Sequence, residues 1–172
     1  LKGIGMLYGK PLHEAVLAIW WQAVKRFELS EVKAALAAHV VNPDTGQFMP
    51  KPADVIAYVQ GSTESQALQA WTQVATAIRE VGAYHSVIFA NPLIHRVIRD
   101  MGGWIALCQS KTTDLPFRAR EFETRYRAAV LHPPADCPRQ LTGWLEQENR
   151  LGGYSPPEPI LIDDHSPPLF LE

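Results

Sequence analysis

Apolar residues recur three and four apart along most of the chain. Leu12, Ala15, Val16, Ile19, Trp20, Ala23, Val24 and Phe27 form the first such stripe, which predicts an amphipathic helix with Pro11 in its first turn. Trp21 falls just off this stripe and reads as a wide edge of the core. Ser30 predicts the cap of a second helix carrying Val32, Ala35, Leu36 and Val40. His39 lies beside that second stripe and reads as a core-edge residue, since no second ligand sits three or four residues away.

The periodicity then breaks at Asn42 to Val55, NPDTGQFMPKPADV. Asn-Pro and Asp-Thr-Gly form turns, Pro50 holds Met49 out of the helical region, and Pro52 suits the first turn of another helix. The segment reads as a rigid elbow, with Phe48 anchoring it to the preceding hairpin and Lys51 projecting outward. Ala53 to Val59 predict a short third helix ending near Gly61. Thr63 and Gln66 have the spacing of a capping box for a long fourth helix with Ala67, Leu68, Trp71, Val74, Ala75, Ile78 and Val81 inward and Gly82 as its stop.

His85 to Phe89 could form a strand, but no run of similar character stands ready to pair with it, so it reads as an extended connector. Asn91-Pro92 opens a helix with Leu93, Ile94, Val97, Ile98 and Met101 inward, and Gly102-Gly103 breaks it. Trp104 to Cys108 is almost wholly apolar and predicts a buried turn at the centre of the second half. Asp114 caps a helix with Leu115, Phe122, Tyr126, Ala129 and Val130 on one side, ended by Pro133-Pro134. Pro138, Leu141, Trp144 and Leu145 predict a last helix before Gly152-Gly153. From Tyr154 onward the chain is too rich in proline to build a core; it reads as lacking regular structure, laid against the body through Ile160 and Ile162.

The expected architecture is therefore mainly α, a compact bundle of seven to eight helices with a Pro-rich extended tail. Residues 7–61 make a helical N-terminal subdomain, 62–152 a second helical subdomain, and 153–172 an extended or disordered acidic tail. Leu1 to Gly5 read as an expression remnant ahead of Met6. No apolar run approaches the length of a membrane span and no signal-peptide core opens the chain, so the expected location is the cytoplasm.

Charge changes this picture little. The net charge is −2, distributed as 0 over residues 1–71, +3 over 72–132 and −5 over 133–172. Cys108 and Cys137 stand alone and read as reduced, idle thiols. Phosphate-loop, nucleophile-elbow, HExxH and EF-hand motifs are missing, as are paired CxxC motifs. No catalytic residue, metal site or cofactor is therefore assigned; Asp163-Asp164-His165 lies on a segment poorly suited to fixing ligands. Glu121 and Glu123, two apart on a helix, face different ways and do not form a carboxylate pair. Arg118 and Arg125 fall on one flank of their helix and Arg120 and Arg127 on the other, with interleaved glutamates. They suit a solvated helix with local ion pairs or, in the alternative, a phosphate-binding surface.

LYGKPL (Leu7 to Leu12), Trp20-Trp21, NPDTGQFMPKPADV, DMGGWIALC (Asp100 to Cys108) and LPFRAREFETRYR (Leu115 to Arg127) together give the chain a resemblance to an uncharacterised family of phage and prophage proteins. More distantly, residues 8–60 are similar to the N-terminal helical domain of phage replicative-helicase loaders and inhibitors. There a Trp-containing helix, a second helix ending near a His and a Phe-x-Pro-x-Pro-like elbow recur in this order. The chain departs from that group in residues 62–150, which read as folded. The missing nucleotide and metal motifs point to binding rather than turnover, with an enzyme of unrecognised site as a third reading. Together with the resemblance they give the expectation of a non-enzymatic adaptor in the cytoplasm of a bacterial host. Its partner would be a replication protein, most plausibly the helicase, bound through Phe48, Pro50, Lys51, Pro52, Asp54 and Trp21. The alternative is a nucleic-acid-binding protein acting through Arg118, Arg120, Arg125 and Arg127.

Overall fold

The computed structural model describes residues 1–162; Asp163-Asp164-His165 and the rest of the expected tail lie outside the described residues. The chain is mainly helical, and its two compact units are Leu1–Ser62 and Thr63–Glu172. None of the described helices is long and apolar enough to cross a membrane.

Unit 1 contains α1 (Lys2–Leu7), α2 (Glu14–Val24), α3 (Leu29–Val41) and α4 (Pro52–Gln60). Its core is Trp20, Val24, Val32, Ala35, Leu36 and Val55, with Ile4, Phe27 and Val59 packed partly buried around them. α4 packs on both α2 and α3. Helix α1 extends the predicted set, since residues set aside as a remnant are helical and Gly5 is buried. A methyl group on Gly5 would come within 2.7 Å of the Lys10 carbonyl oxygen, so α1 sits close on the turn that follows it.

Three local expectations in this unit are corrected. Helix α2 starts at Glu14 behind His13, so Pro11 precedes the helix instead of opening it. Helix α3 starts at Leu29 behind Glu28, so its cap stands two residues before the expected Ser30. There the Glu28 N–H is taken by the Glu31 carboxylate at 3.0 Å, so the helix start is closed by a glutamate reaching back and not by a serine cap. Trp21 is 62% exposed, a surface aromatic and not a core edge. The stripe alone could not decide this, because α2 carries apolar side chains all round and only the face bearing Trp20 and Val24 meets the rest of the unit.

Unit 2 is built from α5 (Thr63–Glu80), β1 (Val87–Phe89), α6 (Pro92–Asp100), α7 (Trp104–Cys108), α8 (Leu115–Leu131), α9 (Trp144–Gly152) and β2 (Ile160–Ile162). α8 packs against α5 and α6. Between them lies a core that includes Val74, Phe89, Ile94, Ile98, Trp104, Leu107 and Phe122. Trp104 is 2% exposed, and its indole N–H points at the carbonyls of Gly82 and His85, at 3.0 and 3.2 Å. The predicted buried turn is thus tied to the end of α5. Gly82 itself takes φ +69°, the left-handed stop its position suggested. Asn91 caps α6 as predicted, its Oδ1 accepting the Leu93 N–H at 3.0 Å.

The expected connector and tail are both corrected. β1 pairs in parallel with β2, in the register Val87↔Ile160, Ile88↔Leu161 and Phe89↔Ile162. Val87 also makes an antiparallel bridge to Leu141. The partner run for β1 exists, but more than 70 residues later and inside a segment whose prolines mask its strand character. Leu141, expected in the last helix, belongs to that bridge, and α9 begins three residues after it.

Candidate functional site

The elbow is held by side chains reaching backbone. Asn42 Oδ1 accepts the N–H groups of Asp44 and Thr45 at 2.8 and 3.1 Å, the local turn that favours Asn at this position. Its amide nitrogen donates to Tyr58 Oη at 2.7 Å, fastening the turn to α4. Tyr8 Oη donates to the Gly46 carbonyl at 2.7 Å. His39, 2% exposed, donates from Nε2 to the Phe48 carbonyl at 3.0 Å. That bond leaves its buried Nδ1 as an acceptor with no partner among the described residues. Asp54 Oδ2 accepts the Lys51 N–H at 2.7 Å and closes the start of α4, where Pro52 takes the first turn.

Gly46 is obligatory for steric reasons. A Cβ there would come within 2.5, 2.7 and 2.9 Å of the carbonyl oxygens of Asn42, Val40 and His39, all backbone atoms with little room to yield. The end of α3 and the turn therefore approach as closely as two stretches of main chain can.

Phe48 does not anchor this turn, which corrects the expectation. Its ring is 64% exposed, while Pro50 is buried and Met49 half-buried. The Phe48 carbonyl, held by His39, does the anchoring expected of the ring, which leaves the ring free to face solvent. Of the six residues singled out for partner binding, Phe48, Lys51 and Trp21 are exposed, Pro52 and Asp54 are half-buried, and Pro50 is interior. Beside the elbow, a groove of about 300 Å³ runs between α3 and α4, lined by Glu31, Ala34, Ala35, Ala38, Tyr58 and Val59. Tyr58 belongs to both, lining the groove while holding Asn42.

Unit 2 has a cleft of about 350 Å³ lined by Arg99, Gly102, Gly103, Trp104, Ile105, Pro138, Gln140, Leu141, Thr142 and Gln147. Both Nη atoms of Arg99 donate to Asp136 Oδ2 at 3.1 Å, so its charge is already matched. The lining contains amides, a hydroxyl and backbone but no carboxylate, imidazole or thiol. It is equipped to hold a polar group and lacks the acid and base that proton transfer would use.

Behind the cleft wall lies a polar cluster that sequence reasoning missed. Glu146 is fully buried; its Oε2 accepts from Ser86 Oγ at 2.5 Å and from Gln140 Nε2 at 2.8 Å. Ser86 Oγ in turn accepts the Gly143 N–H at 3.0 Å. Arg150 Nη2 stands 2.7 Å from Oε1, close enough for the charges to pair though off the hydrogen-bonding angle. His95, likewise buried, accepts the Phe89 N–H at Nε2 (2.7 Å) and donates from Nδ1 to the Pro138 carbonyl (2.8 Å). Burial lowers its pKa, against the opposing pull of the Pro138 contact. A helical wheel could have found His95, which falls beside Ile94 and Ile98 on the inner face of α6. Glu146 gave no such signal, because its partners come from distant parts of the chain.

The thiol of Cys108 is pushed up to about 12 by burial, far from the range of a reactive cysteine. Among the described residues no group of His, Cys, Asp and Glu is placed to hold a metal ion. On α8, Glu121 bridges Arg118 at 3.2 Å and Arg125 at 3.0 Å. Arg120 and Arg127 carry no ion pair among the described residues and are exposed.

A family model described as a domain of unknown function (DUF6475) matches residues 87–168. The match opens at the first residue of β1 and takes in α6 to α9 and β2, so it spans the cleft, both strands and the Glu146 cluster apart from Ser86. No curated protein and no solved structure matches the chain.

Proposed function

We propose that this protein is a non-enzymatic adaptor of phage or prophage origin. It captures a replication protein, the bacterial replicative helicase, through the elbow of unit 1. The carrying observation is a large aromatic side chain, Phe48, held outward at 64% exposure on a turn fixed by Asn42, His39, Tyr8 and Asp54. An exposed ring on flexible chain would lose much of its contact energy to ordering; on a fixed turn that cost is already met by the fold. Lys51 stands exposed three residues away, and the alanine-floored groove shared with Tyr58 offers a neighbouring apolar seat. The distant similarity of residues 8–60 to helicase loaders and inhibitors supplies the choice of partner, and such a protein acts in the host cytoplasm.

Calorimetric titration of the purified host helicase tests this reading. Binding is expected to respond little to salt and to weaken with Phe48→Ala and with Lys51→Glu, while the melting temperature of each variant stays at the parent value. No binding, or binding indifferent to both substitutions, removes it. Pairing of Arg118 and Arg125 with Glu121 weighs against the nucleic-acid alternative. Retention of DNA that falls steeply with salt and is lost on reversing both arginines to Glu would replace the adaptor reading.

A further inference from the structure

Helix α2 has no charged residue between Glu14 at its start and Lys25, which follows its last residue and keeps helical dihedrals. Trp20 and Val24 are its buried residues; Ala15, Ala18, Ile19, Trp21 and Gln22 face solvent, with Ile19 at 65% and Trp21 at 62% exposure. A helix that is apolar all round is ordinarily enclosed by protein on every side. At about 100° per residue, Glu14, Ala18, Trp21 and Lys25 fall on one outer stripe, and all four are exposed. Neither Glu14 nor Lys25 has an ion-pair partner among the described residues.

We propose that this stripe is a self-association surface, pairing antiparallel with the same stripe of a second copy about a two-fold axis that passes between Ala18 and Trp21. Such an axis seats each Trp21 over Ala18 of the other copy, a large side chain against a small one. It also sets each Glu14 opposite Lys25 of the other copy, so opposite charges meet at both ends. Parallel pairing in register would place Trp21 on Trp21 and Glu14 on Glu14, and the charge pattern rejects it. The stripe is thus complementary to itself in the way a two-fold interface requires, a property that binding an unrelated partner would not call for.

The core of unit 1 supports the same conclusion. Its buried apolar residues are Trp20, Val24, Val32, Ala35, Leu36 and Val55, four of the six being alanine or valine. Units of this size often gain stability by association. About three helical turns against three bury less than a standard interface, so the dimer is weak and forms in the micromolar range or above.

Sedimentation equilibrium of the full chain over a range of concentrations tests the proposal. A monomer–dimer equilibrium is expected, with Trp21→Ala raising the dissociation constant about tenfold or more. Glu14→Lys and Lys25→Glu each weaken the dimer, and the two together restore it, because the exchange re-creates opposite charges at both ends. Circular dichroism matching the parent for each variant shows that the helix is intact. A monomer at every concentration, a dimer indifferent to Trp21→Ala, or a double exchange that fails to restore the losses of the single changes would overturn the proposal. Glu14 and Lys25 lie outside the residues assigned to helicase capture, so the two charge variants and their double exchange read self-association separately from capture, whereas Trp21→Ala is scored by the dimer alone.

Discussion

Ser86 and Glu146, 60 residues apart in sequence, share a 2.5 Å hydrogen bond inside unit 2, where neither side chain reaches solvent. The bond joins the approach to β1 with the first turn of α9, and the Gly143 N–H completes it from the other side of the serine. Glu146→Leu leaves the buried Ser86 hydroxyl without its acceptor, while Gln140, half-buried at the cleft, can turn to water. A loss of roughly 1 to 3 kcal/mol is expected for the serine, read as a lower denaturant midpoint with the slope unchanged. Arg150→Ala should also destabilise unit 2, although that side chain is 66% exposed, because it leaves the buried Oε1 of Glu146 without its charge partner.

His95 makes unit 2 sensitive to acid. In the folded state its ring must accept from Phe89 and donate to Pro138, which only the neutral form can do. Its folded pKa is lowered from 6.5, so at mildly acidic pH the unfolded chain binds the proton first. The stability His95 confers is complete above about 6.5 and declines as pH falls from there toward the folded pKa. Chemical denaturation at pH 7.5 and 5 is expected to show that loss, and His95→Gln should flatten it. An imidazole resonance that titrates at or above the ordinary value would contradict the geometry.

At the elbow, stability and surface chemistry separate between two neighbouring residues. Gly46→Ala forces a methyl group into three carbonyl oxygens, with an expected cost of about 1 to 3 kcal/mol as main chain is pushed apart. Phe48→Ala removes a ring that is mostly in water and is expected to shift stability by no more than about 0.5 kcal/mol. Thermal melts of the two variants side by side check this; equal losses would mean that Phe48 is interior.

The alternation of β2 gives a matched pair of substitutions. Leu161 is 65% exposed, whereas Ile162 packs against the core of unit 2. Leu161→Asp should be tolerated, while Ile162→Asp buries a charge and should lower the melting temperature by several degrees.

Much of the helical framework was legible in the sequence because local signals agreed. Asn91-Pro92, the stripe from Leu93 to Met101 and Gly102-Gly103 all point to one helix, and α6 occupies those bounds within a residue. Agreement failed where the deciding contact is distant. β1 looked unpaired because Ile160 to Ile162 lie in a proline-rich stretch, and the Ser86–Glu146 bond depends on two segments that only the fold brings together. In α2 the failure was one of excess, since a helix with no charge beyond Glu14 offers several apolar faces and periodicity cannot choose among them. Phe48 was misplaced for a subtler reason: its apolar character suggested burial, but the backbone carbonyl was the group His39 needed. For the candidate site, the turn chemistry of the elbow was readable and the outward direction of its ring was not.

The pairing of β1 with β2 also bears on how the protein is made. Every residue of unit 1 leaves the ribosome before β1 does, so its core can form while synthesis continues. Unit 2 cannot, because β1 must wait for Ile160 to Ile162 before its free edge is matched. During that interval the nascent chain carries an open strand edge beside an unfinished core, the interval in which it is most exposed to faulty pairing and to chaperones.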